Sequence, residues 1–445
     1  MTAARPLVVL GGAGDLTARL LLPSLAHLVA SGVDTVRLIA VADRDLDDTR
    51  YRDWVSAQLA RHDPDAPAGT HDIVAEAAVF IRGDVTEPQT LQAALRHTDG
   101  EPPIIYLALP NAVFADTLTA LERAGVPEGT IIAVEKPFGS DGADARCLND
   151  LLHRLVPESA TFRIDHFLAK RTVLNILGLR FANRLFEPVW NNQHVDRVEI
   201  VYDETLGLEG RAGYYDTAGA LRDMLQNHLL QILALVVMEP PHALDSASLG
   251  AAKAEALRAV RTLRGPDAVR ARYLGYAEED GVEPVRGTET FVDAVVHVDS
   301  WRWAGVPFRL RTGKALRRVR KEVCVHFRPV PHSPFTGPFP EPNTLHLDLD
   351  TDAMTLELDV NGENDPFDVE RRRFSTDPAP PPVPAYATVL AALLAGDTTL
   401  SITDEEAEQS WRIVSDLLAD WDDEHGRIDE YAPGSDGPSS PPGWP

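Results

Sequence analysis

The chain has 445 residues, of which 44 % are hydrophobic and 25 % charged, with a formal net charge of -26. That length exceeds what one ordinary core fills, so two domains are expected, and the acidity excludes nucleic acid and anionic membrane as general partners, since both require a basic surface. No apolar run reaches the about 18 residues needed to span a bilayer, and MTAARPLVVLGG leads straight into a strand, so a soluble, cytoplasmic protein with no membrane partner is expected. Cys147 and Cys324 are too few for a disulfide framework, and packing is the role expected of them in a reducing compartment. The histidines are scattered without ligand spacing, so no metal is expected.

In chain order, PLVVLG is a short apolar run that ends in the glycine cluster GGAGD and passes into the helical pattern LTARLLLPSLAHLVASG. Strand, glycine turn and helix make the opening unit of a dinucleotide-binding sheet, in which helix-start amides face a pyrophosphate. Gly12 and Gly14 give the turn and Gly11 the strand end. The next strand, VRLIAVADRD, ends at Asp43, Arg44 and Asp45, where such a fold meets the adenosine ribose. An acid there favours the free 2′-hydroxyl of NAD and an arginine the 2′-phosphate of NADP; both are offered. Helix, the strand AAVFIRGDV and a further helix follow between Tyr51 and His97, then the buried strand PPIIYLALP and the helix NAVFADTLTALERAG. The strand TIIAVEKPFG places Glu135 and Lys136 at its carboxyl end, the edge at which open parallel sheets bind ligands.

RIDHFLAK, residues 163–170, packs Asp165, His166 and Lys170 into six residues; as a helix it would stand His166 and Lys170 one turn apart on a face suited to phosphate. Lysine is scarce: of 42 basic residues only Lys136, Lys170, Lys253, Lys314 and Lys321 are lysines, which marks them for work that suits a compact ammonium. Beyond it come the strand VDRVEIVYDE, the loop TLGLEGRAGYYDTAG and the long apolar helix ALRDMLQNHLLQILALVVM. At about 100° per residue, Asp223, Gln226, Asn227, His228 and Gln231 fall within a wedge of roughly 200°, and polar groups in a buried helix must find partners or face a cavity. From Phe291 onward, alternating stretches such as EVCVHFRPV, NTLHLDLD and MTLELDV predict a large antiparallel sheet. DPAPPPVPA is a rigid spacer before two helices, YATVLAALLAG and DEEAEQSWRIVSDLLADW, and the tail from Ala432 is expected to be extended or loosely held.

Taken together, GGAGDL, YLALP, EKPFG, RIDHFLAK, LRFANRLFEPVWN, EGRAGYYDTAGALRDMLQNHLLQ, RTGKAL and AGDTTL, in that order, resemble the glucose-6-phosphate dehydrogenase family over nearly the whole chain. The resemblance implies an α/β Rossmann-type N-terminal domain and an α+β C-terminal domain with a large, mainly antiparallel sheet. The expected boundaries are 1–175 for dinucleotide binding, 176–431 for substrate binding and oligomerisation, and 432–445 for a Pro/Gly/Ser-rich tail. It implies hydride transfer from the anomeric carbon of glucose 6-phosphate to NADP, or to NAD, giving a 6-phosphogluconolactone, in a homodimer or homotetramer. By resemblance His228 is the general base and Asp165 the carboxylate that orients it. His166 and Lys170 hold the phosphate, and Lys136, Glu204, Asp223 and Lys314 contact the sugar. Gly11, Gly12, Ala13, Gly14, Asp15, Leu16, Arg44 and Lys136 line the cofactor, with Pro137 matching a proline that is often cis.

Departures from the family pattern bear on the substrate. Phe167 stands where a tyrosine hydroxyl usually helps hold phosphate, Arg171 where a glutamate follows the lysine, Val319 where a second basic residue lies, and Leu20 where a lysine often reaches toward the site. Ala13 replaces a hydroxyl residue common in the glycine turn. One lost hydrogen bond to a charged group costs about 1.5 to 3 kcal/mol, for which Arg171 or Arg320 is the expected compensation. A dehydrogenase of another sugar or sugar phosphate, or a catalytically silent sensor, are therefore the alternatives.

Overall fold

The computed structural model describes residues 5–33, 36–208, 212–335, 339–351, 353–363, 367–377, 383–423 and 428–444. Part of the loop between the strand VDRVEIVYDE and the long helix, residues 209–211, and most of the proline-rich spacer, residues 378–382, lie outside them. Contacts divide the chain into two units. The first holds Met1–Ala169, Ala243–Gly250 and Val383–Glu408, and the second Lys170–His242, Ala251–Pro382 and Gln409–Pro445.

The first unit is built on a seven-stranded sheet. Its strands are β1 Leu7–Leu10, β2 Leu38–Ala42, β3 Ala78–Arg82, β4 Ile104–Leu107, β5 Ile131–Glu135 and β6 Thr161–Ile164, joined by the short β15 Ser401–Ile402. The order is β15-β6-β5-β4-β1-β2-β3, parallel except where β15 pairs antiparallel with β6. β1 and β4 are buried at every position, as expected of parallel strands covered on both faces. The strand order reverses at the β1/β4 boundary, where open sheets of this kind leave a crevice beyond the strand ends. The helix Ala385–Ala395 adds Tyr386, Leu390 and Leu393 to this core. Residues 383–408 thus pack with the first unit, although their position in the sequence suggested the second; the pairing of Ser401 with Ile164 draws them there.

The second unit carries a nine-stranded sheet in the order β14-β13-β12-β11-β7-β10-β9-β8-β16. These strands are β7 Val195–Asp203, β8 Ala268–Tyr273, β9 Phe291–His297, β10 Pro307–Gly313, β11 Arg320–Phe327, β12 Thr344–Asp348, β13 Met354–Asn361, β14 Val369–Ser375 and β16 Asp429–Tyr431. All pairs are antiparallel except β7 with β10 and β8 with β16, so the mainly antiparallel sheet foreseen from the alternation is present. Val198, Ile200, Phe308, Leu310, Val323, Val325, Leu345 and Leu347 stand in cross-strand register and are buried. The mid-chain helix packs on this sheet through β9 and β10. The opposite positions carry charge: Arg309 reaches Asp293 at 2.6 Å and Glu199 at 3.2 Å, and Arg311 reaches Asp203 at 3.0 Å. The C-terminal tail is bound there rather than loose. Arg311 donates to the Asp436 carbonyl at 2.7 Å, Arg309 donates to Ser440 Oγ at 2.7 Å, and the Trp444 ring lies 5.5 Å from the Arg309 guanidinium.

Candidate active site

The glycine turn in the first unit follows β1 as expected. Gly11 and Gly12 both donate to the Val41 carbonyl, Gly14 donates to the Gly11 carbonyl, and Tyr51 OH donates to the Gly12 carbonyl at 2.7 Å. Gly11 has φ +88°, and a Cβ added there would lie 2.2 Å from the Ala108 carbonyl oxygen just beyond β4. A Cβ on Gly12 would come within 2.5 Å of Ala40 Cβ. Only glycine tolerates this approach of the turn to the strand-order reversal. The helix opens at Asp15 and Leu16, and the first amides of a helix lack intrahelical acceptors, the feature that suits a helix start to a pyrophosphate. Ala13 is buried beneath the turn, and Asp15 pairs with Arg19 at 3.6 Å. These residues fit a bound dinucleotide.

Arg44 is exposed at the carboxyl end of β2. Its neighbour Asp45 forms an ion pair with Arg82 at the end of β3, a residue that the reading of the sequence passed over. The pair offsets part of the negative charge that Asp43 and Asp45 bring to the ribose position.

At the end of β5, Glu135 is buried and accepts hydrogen bonds from Tyr106 OH at 2.5 Å and Tyr386 OH at 3.2 Å. Burial pushes its carboxyl up to about 7, against the pull of the two tyrosines and of Lys136; the charge of Asp165 adds to the rise. Lys136 is half-buried and is joined to Pro137 by a cis peptide bond. Tyr386 also stacks on His166, with ring centroids 5.3 Å apart.

RIDHFLAK is not a helix. β6 ends at Ile164, and Asp165 Oδ1 accepts the Phe167 amide at 2.9 Å while its carbonyl accepts the Leu168 amide. An aspartate side chain that captures the amide two residues on makes a turn where a helix would need that amide elsewhere. Asp165 is buried, and Phe167 packs its ring edge against His166 at 5.1 Å.

In the second unit Lys170 is the N-cap of the helix Arg171–Phe181, and Thr172 Oγ1 ties the start of that helix to the Leu349 carbonyl at 2.7 Å. Lys170 Nζ lies 3.4 Å from Asp350 and 5.6 Å from the centre of the Tyr202 ring. Lys321 Nζ lies 2.8 Å from the same carboxylate and 4.8 Å from the same ring. Of the two residues expected to compensate, Arg320 binds Glu199 and Glu322, and Arg171 is exposed at the start of that helix. Val319 is exposed, and so is Leu20 in the first unit.

From Tyr202 the polar contacts continue along the sheet. Glu204, two residues on, accepts from Lys314 Nζ at 2.7 Å, and that ammonium lies 5.3 Å from the Tyr215 ring centre. Lys314 is held by its own backbone, whose amide donates to the Thr290 carbonyl and whose carbonyl accepts from Tyr431 OH. Burial drives the Tyr215 hydroxyl well above its ordinary range, with the Asp223 charge adding to the effect, so Tyr215 stays a neutral donor beside that carboxylate.

The long helix breaks at Gly219, which has φ 70° and ψ 171°. A Cβ there would lie 2.4 Å from Glu289 Oε1, and that carboxylate accepts the Leu221 amide at 2.9 Å, capping the new start. From Leu221 to Leu229 the turn is π-type, then α-helical through Val237. This alters the wedge drawn at the α-helical angle, because π turns bond i to i+5 and Asp223 and His228 stand five apart. Asn227 and Gln231 have structural partners, whereas Gln226 Oε1 is buried without a hydrogen-bond partner among the described residues. Asn227 Nδ2 donates to the Arg222 carbonyl at 2.6 Å, and buried Lys253 donates to Gln231 Oε1 at 3.2 Å. His228 is buried within the π stretch.

The family model described as "Glucose-6-phosphate dehydrogenase, NAD binding domain" matches residues 8–175, and that described as "Glucose-6-phosphate dehydrogenase, C-terminal domain" matches residues 177–442. A glucose-6-phosphate 1-dehydrogenase of Mycolicibacterium smegmatis is 38 % identical, the alignment covering 97 % of this chain and 94 % of the relative. One from Zymomonas mobilis is 35 % identical, covering 98 % and 96 %. The crystal structure of the glucose-6-phosphate 1-dehydrogenase of Mycobacterium avium superposes with a TM-score of 0.89 at 34 % identity, covering 98 % of this chain and 95 % of that one. A glucose-6-phosphate dehydrogenase solved in complex with glucose 6-phosphate superposes with a TM-score of 0.86 at 27 % identity, covering 98 % and 97 %. With both family models and full-length relatives in agreement, this chain belongs to the glucose-6-phosphate dehydrogenase family.

Proposed function

We propose that this protein is a glucose-6-phosphate 1-dehydrogenase that oxidises the anomeric carbon of glucose 6-phosphate with NADP, or with NAD, to 6-phosphogluconolactone. The observation that carries this is the polar path Lys170–Tyr202–Glu204–Lys314–Tyr215–Asp223, which ends on the helix of His228 and offers cations and carboxylates to a phosphorylated sugar. Lys136, Glu204, Asp223 and Lys314 hold the hydroxyls, and His166 and Lys170 the phosphate. His228 accepts the proton of the anomeric hydroxyl as the C1 carbonyl forms, work that an imidazole performs near neutral pH. Asp165 keeps the ring in the right tautomer and stabilises the imidazolium. The glycine turn after β1 would hold a nicotinamide dinucleotide, which when bound would supply the acceptor for the hydride of C1. Gly11, Gly12, Ala13, Gly14, Asp15 and Leu16 take its pyrophosphate, with Lys136 nearby on the sugar side.

NADP is favoured by Arg44 and by the Arg82 partner of Asp45. Steady-state assays on glucose 6-phosphate and a panel of aldoses, with each nicotinamide, test the assignment; a faster reaction with another sugar phosphate would replace it. Arg44→Ala should lower the ratio of kcat/KM with NADP to that with NAD by about tenfold or more, the worth of a charge-assisted contact. An unchanged ratio would withdraw Arg44 from the cofactor site.

We also propose a cytoplasmic homodimer or homotetramer. No described helix is long and apolar enough to cross a membrane, and both cysteines are free. Phe374 is 54 % exposed on the edge strand β14, an apolar group suited to a second copy. Sedimentation velocity of the purified chain reads the assembly state, and a monomer at micromolar concentration would end this part.

A further inference from the structure

We propose that Lys321 and Tyr202 complete the grip on the substrate phosphate together with Lys170; this rests on the sugar-phosphate reading above. Strand register sets the arrangement. Lys321 on β11 pairs directly with Tyr202 on β7, so the two side chains rise from the same face as near neighbours. The Leu349 amide donates to the Lys321 carbonyl at 2.8 Å, and Asp348 Oδ1 accepts the Asp350 amide at 2.8 Å, which fixes the turn that carries Asp350. The Thr172 hydroxyl bonds the Leu349 carbonyl and brings the helix start, with Lys170, to that same turn. Three separate pieces of chain therefore deliver two ammonium groups and a phenol around one carboxylate.

Charge favours a phosphate monoester as the ligand. Burial pulls the Lys321 ammonium down, but Asp350 and Tyr202 outweigh it and hold the group above its ordinary range; burial likewise works against Asp350, and the two lysines hold it below. Burial pushes the Tyr202 hydroxyl up to about 12, so it remains a donor. At neutral pH the cluster is two cations, one anion and a neutral hydroxyl, which leaves one positive charge to meet a dianion. Phe167 offers no hydroxyl and Val319 no charge, and the pair on β7 and β11 provides one of each. An ammonium held at fixed distance meets a phosphate as a point charge, which suits lysine in a chain that otherwise uses arginine.

The test compares wild type, Lys321→Gln, Lys321→Arg and Tyr202→Phe, with glucose 6-phosphate and glucose as substrates and inorganic phosphate as competitive inhibitor. Lys321→Gln should raise KM for glucose 6-phosphate about tenfold or more and weaken phosphate inhibition by a similar factor. The advantage of glucose 6-phosphate over glucose should fall in step. Lys321→Arg should recover most of the loss, which a merely structural effect of the glutamine would not explain. Tyr202→Phe should cost about two- to tenfold, as for a neutral hydrogen bond. Values for Lys321→Gln and Tyr202→Phe both within twofold of wild type would overturn the proposal. A wild type that oxidised glucose as readily as glucose 6-phosphate would instead sink the sugar-phosphate reading on which it stands.

Discussion

Replacing His228 with asparagine should lower kcat on glucose 6-phosphate by about 10²-fold or more, the usual worth of a positioned general base. Asparagine keeps a polar, roughly isosteric side chain at a buried position but cannot take up a proton at neutral pH. The local backbone should survive the change, because the π turn is held by other groups: Glu289 caps its start, and Asn227 Nδ2 satisfies the Arg222 carbonyl. Equilibrium binding of glucose 6-phosphate should therefore persist while turnover collapses, and the acidic limb of the kcat profile should vanish with the imidazole. Turnover at the wild-type rate would remove His228 from the chemistry. Loss of binding along with turnover would give the ring a structural role instead.

Glu135 should make stability depend on pH in a direction opposite to that of most carboxylates. Its folded-state value of about 7 lies above the ordinary 4.5 because burial disfavours the charged form. Between those values the folded chain holds a proton that the unfolded chain has released. The contribution is therefore fully present below about pH 4.5, falls as pH rises, and is gone once pH passes about 7. At about 1.4 kcal/mol per pH unit the loss amounts to about 3 kcal/mol. Glu135→Gln, which never ionises and still accepts from Tyr106 and Tyr386, should gain on wild type steadily between pH 5 and about 7.5 when melting temperatures are compared. Subtracting the two curves removes the titration of every other group. A difference independent of pH would mean that Glu135 ionises normally.

Features set by local sequence were legible, and those set by register between distant strands were not. The glycine turn after β1, Lys136 at the end of β5 and the buried helix of His228 each follow from a run of neighbours, and each stands where the pattern predicts. RIDHFLAK misled because a competing side-chain bond within three residues, Asp165 to the Phe167 amide, decides its shape. The π turn was also hidden, since apolar spacing in a fully buried helix carries no marker of the turn type. Lys321 stood out as one of five lysines, yet nothing near it in sequence pointed to Tyr202, 119 positions earlier; only the β7–β11 pairing does so. Arg82 was missed for the same reason, because its partner Asp45 lies on another strand end. The return of residues 383–408 to the first unit depends on a two-residue strand too short to leave a pattern.

The last residues of the chain belong to the ion network of the large sheet. Arg309 divides its donors among Asp293, Glu199 and Ser440, and Trp444 covers its guanidinium. A chain shortened before Gly434 would strip the Ser440 and Trp444 contacts from that arginine and leave it to Asp293 and Glu199 alone. Any kinetic comparison between trimmed and full-length preparations would then report on the integrity of this network before it reported on catalysis.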